Sequence, residues 1–299
     1  MEVKVATIHK KEMMIVKKHN RWYWFFLLPS LLGVMLFYTV PFLYSLYYAL
    51  IDNMGDRHFV GFKNFIDTLA NPLFQNAAWN TVKIVGVCVF FSMGLALLLA
   101  LCLQKLKRGR ILATLILLLP MVVPSGTIAY FWEIMFGQNG LWTKLLLQLG
   151  VAHETAVMGG WEFLVLVIIF LWKNVSYNVV LFWSGLNWIP KLYYEQMEME
   201  GGGVWKQFTN ITWVYLAPTT FVVLLMSIVN SFKAFKEVYM LYGPYPTPEV
   251  YMLQHYMNNQ FQSLNMQKLS SAAYILFLVL GILLLLVFYG QKKVTDNYE

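Results

Sequence analysis

Residues 195–211 read Glu195-Gln196-Met197-Glu198-Met199-Glu200-Gly201-Gly202-Gly203-Val204-Trp205-Lys206-Gln207-Phe208-Thr209-Asn210-Ile211. This polar segment, broken by three consecutive glycines, separates two apolar stretches, 161–186 and 213–233. Each stretch is long enough to cross a hydrocarbon core of about 30 Å, which takes about 20 apolar residues as helix. Counted outward from it, the chain holds six such stretches, at 23–50, 82–103, 111–135, 161–186, 213–233 and 270–290. Backbone in hydrocarbon must satisfy its own hydrogen bonds, and runs of this length do so as helices. The expectation is an all-α integral membrane protein of six transmembrane helices, with a patterned loop, 187–212, between the fourth and fifth.

Composition agrees. Hydrophobic residues make up 59% of the chain and charged residues 12%, whereas soluble domains hold roughly 45–50% and about 25%. The first stretch exceeds a signal-peptide core and lacks a small-residue cleavage pattern, so it is expected to stay in the protein. Residues 22–290 read as one six-span domain, with tails at 1–21 and 291–299. Gly243-Pro244-Tyr245-Pro246-Thr247-Pro248 is a loop, since prolines at alternate positions exclude helix and sheet.

The net charge of +7 does not imply nucleic acid, because the basic residues cluster at the ends of apolar spans, where they set topology. Fourteen Lys and Arg fall in 1–21, 104–110, 187–212 and the C-terminal tail, against five in the alternate loops. That asymmetry puts both termini and the 187–212 loop in the cytoplasm of a cell carrying the chain in its plasma membrane. The two cysteines, Cys88 and Cys102, share one span. Their separation of about 21 Å along a helix forbids a bridge. All five histidines lie outside the spans, which argues against a haem-binding membrane subunit.

Polar residues inside membrane helices are costly and therefore informative. Lys173, Asn174, Tyr177 and Asn178 cluster in the fourth span, and Ser227, Asn230 and Ser231 in the fifth, followed by Lys233. Helical spacing stacks Asn174, Tyr177 and Asn178 on one face, and Ser227, Asn230 and Ser231 likewise. Such stripes suit a path for hydrated, hydroxyl-rich solutes, or equally hydrogen bonds between helices. Glu133 and Glu162 are read as interfacial. Pro120, Pro124 and Pro218 each remove a backbone bond, and Trp22, Tyr23 and Trp24 beside Arg21 suit an interfacial belt.

Within 187–212, Pro190 suits a helix start, and the glycines end that helix, each costing about 1 kcal/mol in a helix interior. Val204, Phe208 and Ile211 then recur at i, i+4 and i+7, one face of a second short helix. The segment is expected to be a helix–turn–helix outside the bilayer.

The loop resembles the cytoplasmic EAA loop of binding-protein-dependent ABC importer permeases: Glu-Ala-Ala, three residues, Gly, nine residues, Ile-x-Leu-Pro. Glu195-Gln196-Met197 stands for the triplet, Glu200 for the residue before the glycine, Gly201 for the glycine and Ile211 for the isoleucine. Gln196 and Met197 replace the alanines, and Trp213 and Val214 replace Leu-Pro. Leu28-Pro29 through Val40-Pro41 to Ser45, Phe59 to Phe65, Asn80-Thr81, Arg108-Gly109-Arg110, Trp172-Lys173 and Gly185-Leu186 to Ile189-Pro190 follow in the order of the maltose and multiple-sugar branch.

The resemblance implies a non-catalytic, pore-forming half of a bacterial sugar importer, embedded in the lipid bilayer. It would pair with a second homologous permease, two ATPase subunits and an extracellular solute-binding protein that delivers the sugar. The first loop helix would couple to an ATPase. The chain has no Gly-x-x-x-x-Gly-Lys-Ser/Thr loop, so ATP and Mg would be bound by the partners. Another polar cargo such as glycerol phosphate fits the same machine. A stand-alone secondary carrier would want an inverted repeat and buried carboxylates, and an intramembrane enzyme would want a nucleophile–base pair or metal cluster within the spans.

Overall fold

The computed structural model describes residues 24–52, 58–136, 140–150 and 161–296. The tail at 1–21 and the last three residues lie outside them. Helix dominates, and among the described residues the only β pairing is an isolated bridge between Ile51 and Phe59.

In chain order the helices are α1 (Trp24–Leu50), α2 (Lys63–Ala70), α3 (Pro72–Lys105), α4 (Arg110–Val122), α5 (Ser125–Phe136), α6 (Leu141–Gln148), α7 (Glu162–Asn187), α8 (Lys191–Met199), α9 (Val204–Gln207), α10 (Trp213–Phe232), α11 (Phe235–Tyr242), α12 (Leu253–Gln262) and α13 (Met266–Asp296). A π-helical turn, Phe208–Thr212, joins α9 to α10 without a break. Five helical segments are long and apolar enough to cross a membrane, and α4 with α5 makes a sixth if the bent pair is one span.

Three expectations change. The stretch 111–135 is not one straight span: α4 and α5 meet at 94°. Pro124 lacks an N–H and pushes its predecessor out of the helical region, and Val123 is accordingly extended at φ −72°, ψ 126°. The second loop helix is not separate but forms the first turns of the fifth span: Val204–Gln207 runs through the π turn Phe208–Thr212 into Trp213–Phe232, and the helix accommodates Pro218 without ending. The last span also runs on through Asp296, so most of the expected C-terminal tail is helical; 266–296 contains no proline to stop it.

The centre of the bundle is α3 against α7. Cys88, Ser92, Ala96 and Ala100 recur at every fourth residue of α3, all buried. A stripe of small side chains lets another helix come close, and Val175, Val179, Phe182 and Leu186 of α7 pack in the same core as Ala96 and Ala100. Next to α7, α10 crosses closely at Gly185, where a Cβ would lie 2.6 Å from Thr219 Oγ1 and 2.9 Å from Leu216 Cδ2. By contrast α1 buries none of its apolar window within the chain. It rests on α13 through Phe42, whose ring lies 4.7 Å from Tyr274 and 5.1 Å from Phe277.

Opposite the α8 end of the bundle, residues 243–262 form a cap tied down by side chains. Asn80 donates to the carbonyls of Pro248 and Tyr251, and the Thr81 hydroxyl accepts the Leu253 N–H. Gly243 takes φ +74° where α11 ends, as the proline-rich loop requires. At the cap's centre His255 is fully buried, its Nδ1 accepting the Met252 N–H at 3.1 Å. The rings of Phe235 and Tyr251 flank it. Burial lowers its pKa to about 4, against about 6.5 for free imidazole. The folded cap therefore keeps His255 neutral while the unfolded chain protonates it below about pH 6.5. Stability is insensitive to this group above that pH and falls as pH drops from there toward 4. Thermal unfolding of the purified protein between pH 7.5 and 4.5 checks this: His255→Gln should show a shallower loss than the parent, and parallel slopes would refute it.

Candidate functional site

Two regions hold the residues picked out from sequence, one at each end of α10.

The first is the α8 turn. Helix α8 starts after Pro190, whose fixed φ (−61°) with extended ψ (130°) sets the entry. It ends in a paired closure: Gly201 N–H donates to the Glu198 carbonyl at 3.0 Å and Gly202 N–H to the Met197 carbonyl at 2.8 Å. This is the Schellman arrangement, which needs a left-handed residue after the helix, and Gly201 supplies it at φ +74°. Gly202 is required for a different reason. A Cβ there would lie 2.5 Å from Met197 Cγ and 2.8 Å from the Met197 carbonyl oxygen.

The turn folds α8 back along the base of the fifth span. Tyr194 Oη lies 3.0 Å from Thr212 Oγ1, Gln207 Nε2 donates to Glu198 Oε1 at 3.2 Å, and Tyr193 stacks on Tyr215 at 5.3 Å. Glu195, Gln196, Glu200 and Gly201 are exposed. Met197 and Ile211 are not surface: Ile211 is buried in the α3–α7 core, and Met197 packs against that core. Side-chain contacts from Tyr193, Tyr194 and Glu198 hold α8 near the π turn and the start of α10. Sequence reasoning missed Gly202 and the exposed apolar neighbours Leu192 and Met199; Leu192 and Met199 sit seven apart, a one-face spacing that marks them in retrospect.

The second region is a cavity of about 380 Å³ at the far half of α7 and α10, walled by α4, α7, α10 and α11. Its polar lining is Lys173, Asn174, Tyr177, Asn230, Lys233 and Glu237. Of the six stripe residues expected, Asn174, Tyr177 and Asn230 line it. Asn178, Ser227 and Ser231 do not. Asn178 Nδ2 donates to Ser227 Oγ at 2.8 Å and lies 3.4 Å from Ser92 Oγ, and Ser231 donates back to the Ile228 carbonyl at 2.6 Å. The stripes therefore split: one edge faces the cavity and the other joins α3, α7 and α10.

Two acidic residues take part in side-chain contacts. Glu162, read as interfacial, is buried at the first residue of α7 and accepts a hydrogen bond from Thr247. Glu237, beyond the predicted fifth span, reaches the cavity wall and pairs with Lys173 at 2.6 Å. Nothing in the sequence spacing links positions 64 residues apart. An unpaired lysine in a membrane helix is the one available signal, since buried charges demand partners.

A family model described as the binding-protein-dependent transport system inner membrane component matches residues 92–291. The chain belongs to that family. This membrane component is similar to the probable starch degradation products transport system permease protein AmyD of Thermoanaerobacterium thermosulfurigenes, 26% identical over 92% of this chain and 96% of the relative. It is also similar to the sn-glycerol-3-phosphate transport system permease protein UgpA of Agrobacterium fabrum, 29% identical over 89% and 93%. In fold it matches a chain of a bacterial ABC transporter involved in import of the acidic polysaccharide alginate, with TM-score 0.81 at 19% identity, covering 95% of this chain and 99% of that one. A second structure of a bacterial alginate ABC transporter, in complex with an alginate pentasaccharide-bound periplasmic protein, matches with TM-score 0.80.

The split stripes give opposite expectations for two asparagines. Asn178→Leu should lower the stability of this transport component by about 0.5–1.5 kcal/mol, the range of interhelical hydrogen bonds in membranes, with the concentration dependence of uptake unchanged. Asn230→Leu should leave stability alone and change that concentration dependence. Thermal unfolding and uptake measured side by side decide; a stability loss confined to Asn230→Leu would reverse the assignment.

Proposed function

We propose that this chain is the permease subunit of an ATP-driven importer that moves a carbohydrate into a bacterial cell by alternating access. The observation that carries it is the α8 closure, which presents a short acidic and apolar helix and fixes it to the base of the fifth span. In that assembly a second, homologous permease completes the pore, two ATPase subunits dock below and an extracellular binding protein delivers the sugar. ATP and Mg belong to the ATPases.

The Lys and Arg asymmetry supports cytoplasmic termini and a cytoplasmic α8, where an ATPase would sit. The surface offered there is Glu195, Gln196, Glu198, Met199 and Glu200, with Leu192 beside them. Met197 and Ile211 support this surface from beneath instead of touching the partner. Closure of the ATPases pushes α8, and α8 carries the base of α10 with it. The cavity at the other end of α10 is the part of the path that this displacement opens and closes.

The likeness to UgpA raises glycerol phosphate as a second cargo, which the pairing of Lys173 with Glu237 at the cavity disfavours.

The coupling role is tested with Gly201→Val and Gly202→Leu in proteoliposomes holding the complete importer. The first forces a β-branched residue into a left-handed conformation, at a cost of about 1–2 kcal/mol; the second drives Met197 away. Both should insert, assemble and hydrolyse ATP while uptake falls about tenfold, in line with coupling changes of about 0.5–2 kcal/mol. Wild-type uptake in both variants would remove α8 from the mechanism.

A further inference from the structure

Resting on the permease reading, we propose that the Lys173–Glu237 pair makes the cavity selective for uncharged oligosaccharides over phosphorylated or carboxylated solutes. An anion site needs donors whose positive charge is not already spent. Here the Lys173 ammonium lies 2.6 Å from the Glu237 carboxylate, and Glu237 is 8% exposed at its side chain. A phosphate or uronate entering the cavity meets the carboxylate together with the ammonium. The like charge opposes it, and displacing Glu237 from Lys173 would leave a buried charge unpaired. Lys233, the second cation of the lining, donates to the neutral Asn230 Oδ1 at 2.9 Å and keeps its charge, but it sits exposed at the rim, where water screens it.

The uncharged groups point the same way. Asn174 Nδ2 gives one of its two N–H groups to the Phe170 carbonyl at 2.9 Å, which leaves its Oδ1 as an acceptor and its second N–H as a donor for a solute. Asn230 Oδ1 is used by Lys233, so its Nδ2 remains as a donor. Tyr177 Oη is both. Among the described residues Asn174 Oδ1, Asn230 Nδ2 and Tyr177 Oη have no hydrogen-bond partner. An acceptor, a donor and a hydroxyl complement sugar hydroxyls, which themselves donate and accept; a fully ionised phosphate only accepts. The rest of the wall is apolar, including Met121, Ile169 and Phe170, and suits the C–H faces of pyranose rings.

Binding is measured on the nanodisc-embedded complex of permeases and ATPases without binding protein, so that the cavity alone selects. The probes are neutral oligosaccharides (maltotriose, cellotriose, xylotriose, raffinose) and two anions (sn-glycerol 3-phosphate and an alginate trisaccharide), read by thermal shift. At least one neutral probe should stabilise the parent complex and neither anion should. Glu237→Gln keeps the hydrogen-bonding shape and frees the Lys173 charge. It should tighten anion binding about tenfold while neutral binding stays within about threefold, the order expected when a like charge is removed. Should that variant misassemble, Lys173→Gln/Glu237→Gln, with both charges gone, should keep the neutral response and gain none to anions.

Stabilisation of the parent by an anion, by no neutral probe, or anion binding in the doubly neutral variant overturns the proposal. Failure of the permease reading looks different: proteoliposomes with the binding protein added would show no ATP-dependent uptake of any probe.

Discussion

Hydrocarbon offers no water to a broken backbone, and that constraint organises this molecule. A helix crossing the membrane must bond its own N–H and C=O groups throughout, so every interruption has to lie where protein or an aqueous space covers it. Three of the breaks among the described residues bear on the site. One separates α4 from α5 at Val123 and Pro124. One separates α10 from α11 at Lys233 and Ala234, and the third is the Gly201–Gly203 turn. The first two lie at the cavity, whose wall includes Met121, Lys233 and Ala234. The third presents α8. Between them α9 and α10 form one continuous helix that includes the π turn at Phe208–Thr212 and Pro218, so force applied at the turn reaches the cavity along that helix.

That helix is held at two points. At its base, Met197 over Gly202 and Tyr194 against Thr212 tie α8 to α10. Slightly further along, Gly185 leaves the room into which the side chains of Thr219 and Leu216 on α10 press against α7. Beyond that crossing, α10 is joined to its neighbours by the Asn178–Ser227 hydrogen bond, and past it the cavity opens. Stiff packing on one side and a polar, charge-paired space on the other follow from the same two helices. The turn at one end and the solute groups at the other are roughly 40 Å apart at about 1.5 Å per residue, linked by a single uninterrupted helix.

Much of this was legible in the residues, and the misses have physical reasons. Span count and the α8 segment followed from run length and from glycine chemistry, signals that act locally. Gly201 was legible because a left-handed cap is a one-residue requirement. Gly202 was not, since its need comes from the side chain of Met197 folding over it. The bend at Pro124 was visible only as a removed hydrogen bond; whether a membrane proline bends a helix mildly or turns it by 94° depends on what packs around it. Period 3.6 put Asn174 and Asn178 on one face, yet four residues advance the helix past a full turn. That difference suffices to send Asn178 toward Ser227 and leave Asn174 in the cavity. Glu237 was hidden because its partner is distant in sequence.

The account turns on α8 and α10 moving as one body. Electron–electron spin distances test this directly, with labels at Gln196 on α8 and Val222 on α10, in a complete importer whose permease has Cys88 and Cys102 replaced. The account predicts the same 196–222 distance without nucleotide and with trapped ATP, while a label at Asn174 changes its distance to the partner permease. A 196–222 distance that shifts on ATP binding, with position 174 unmoved, would show α8 swinging on its glycines as a free hinge and would contradict it.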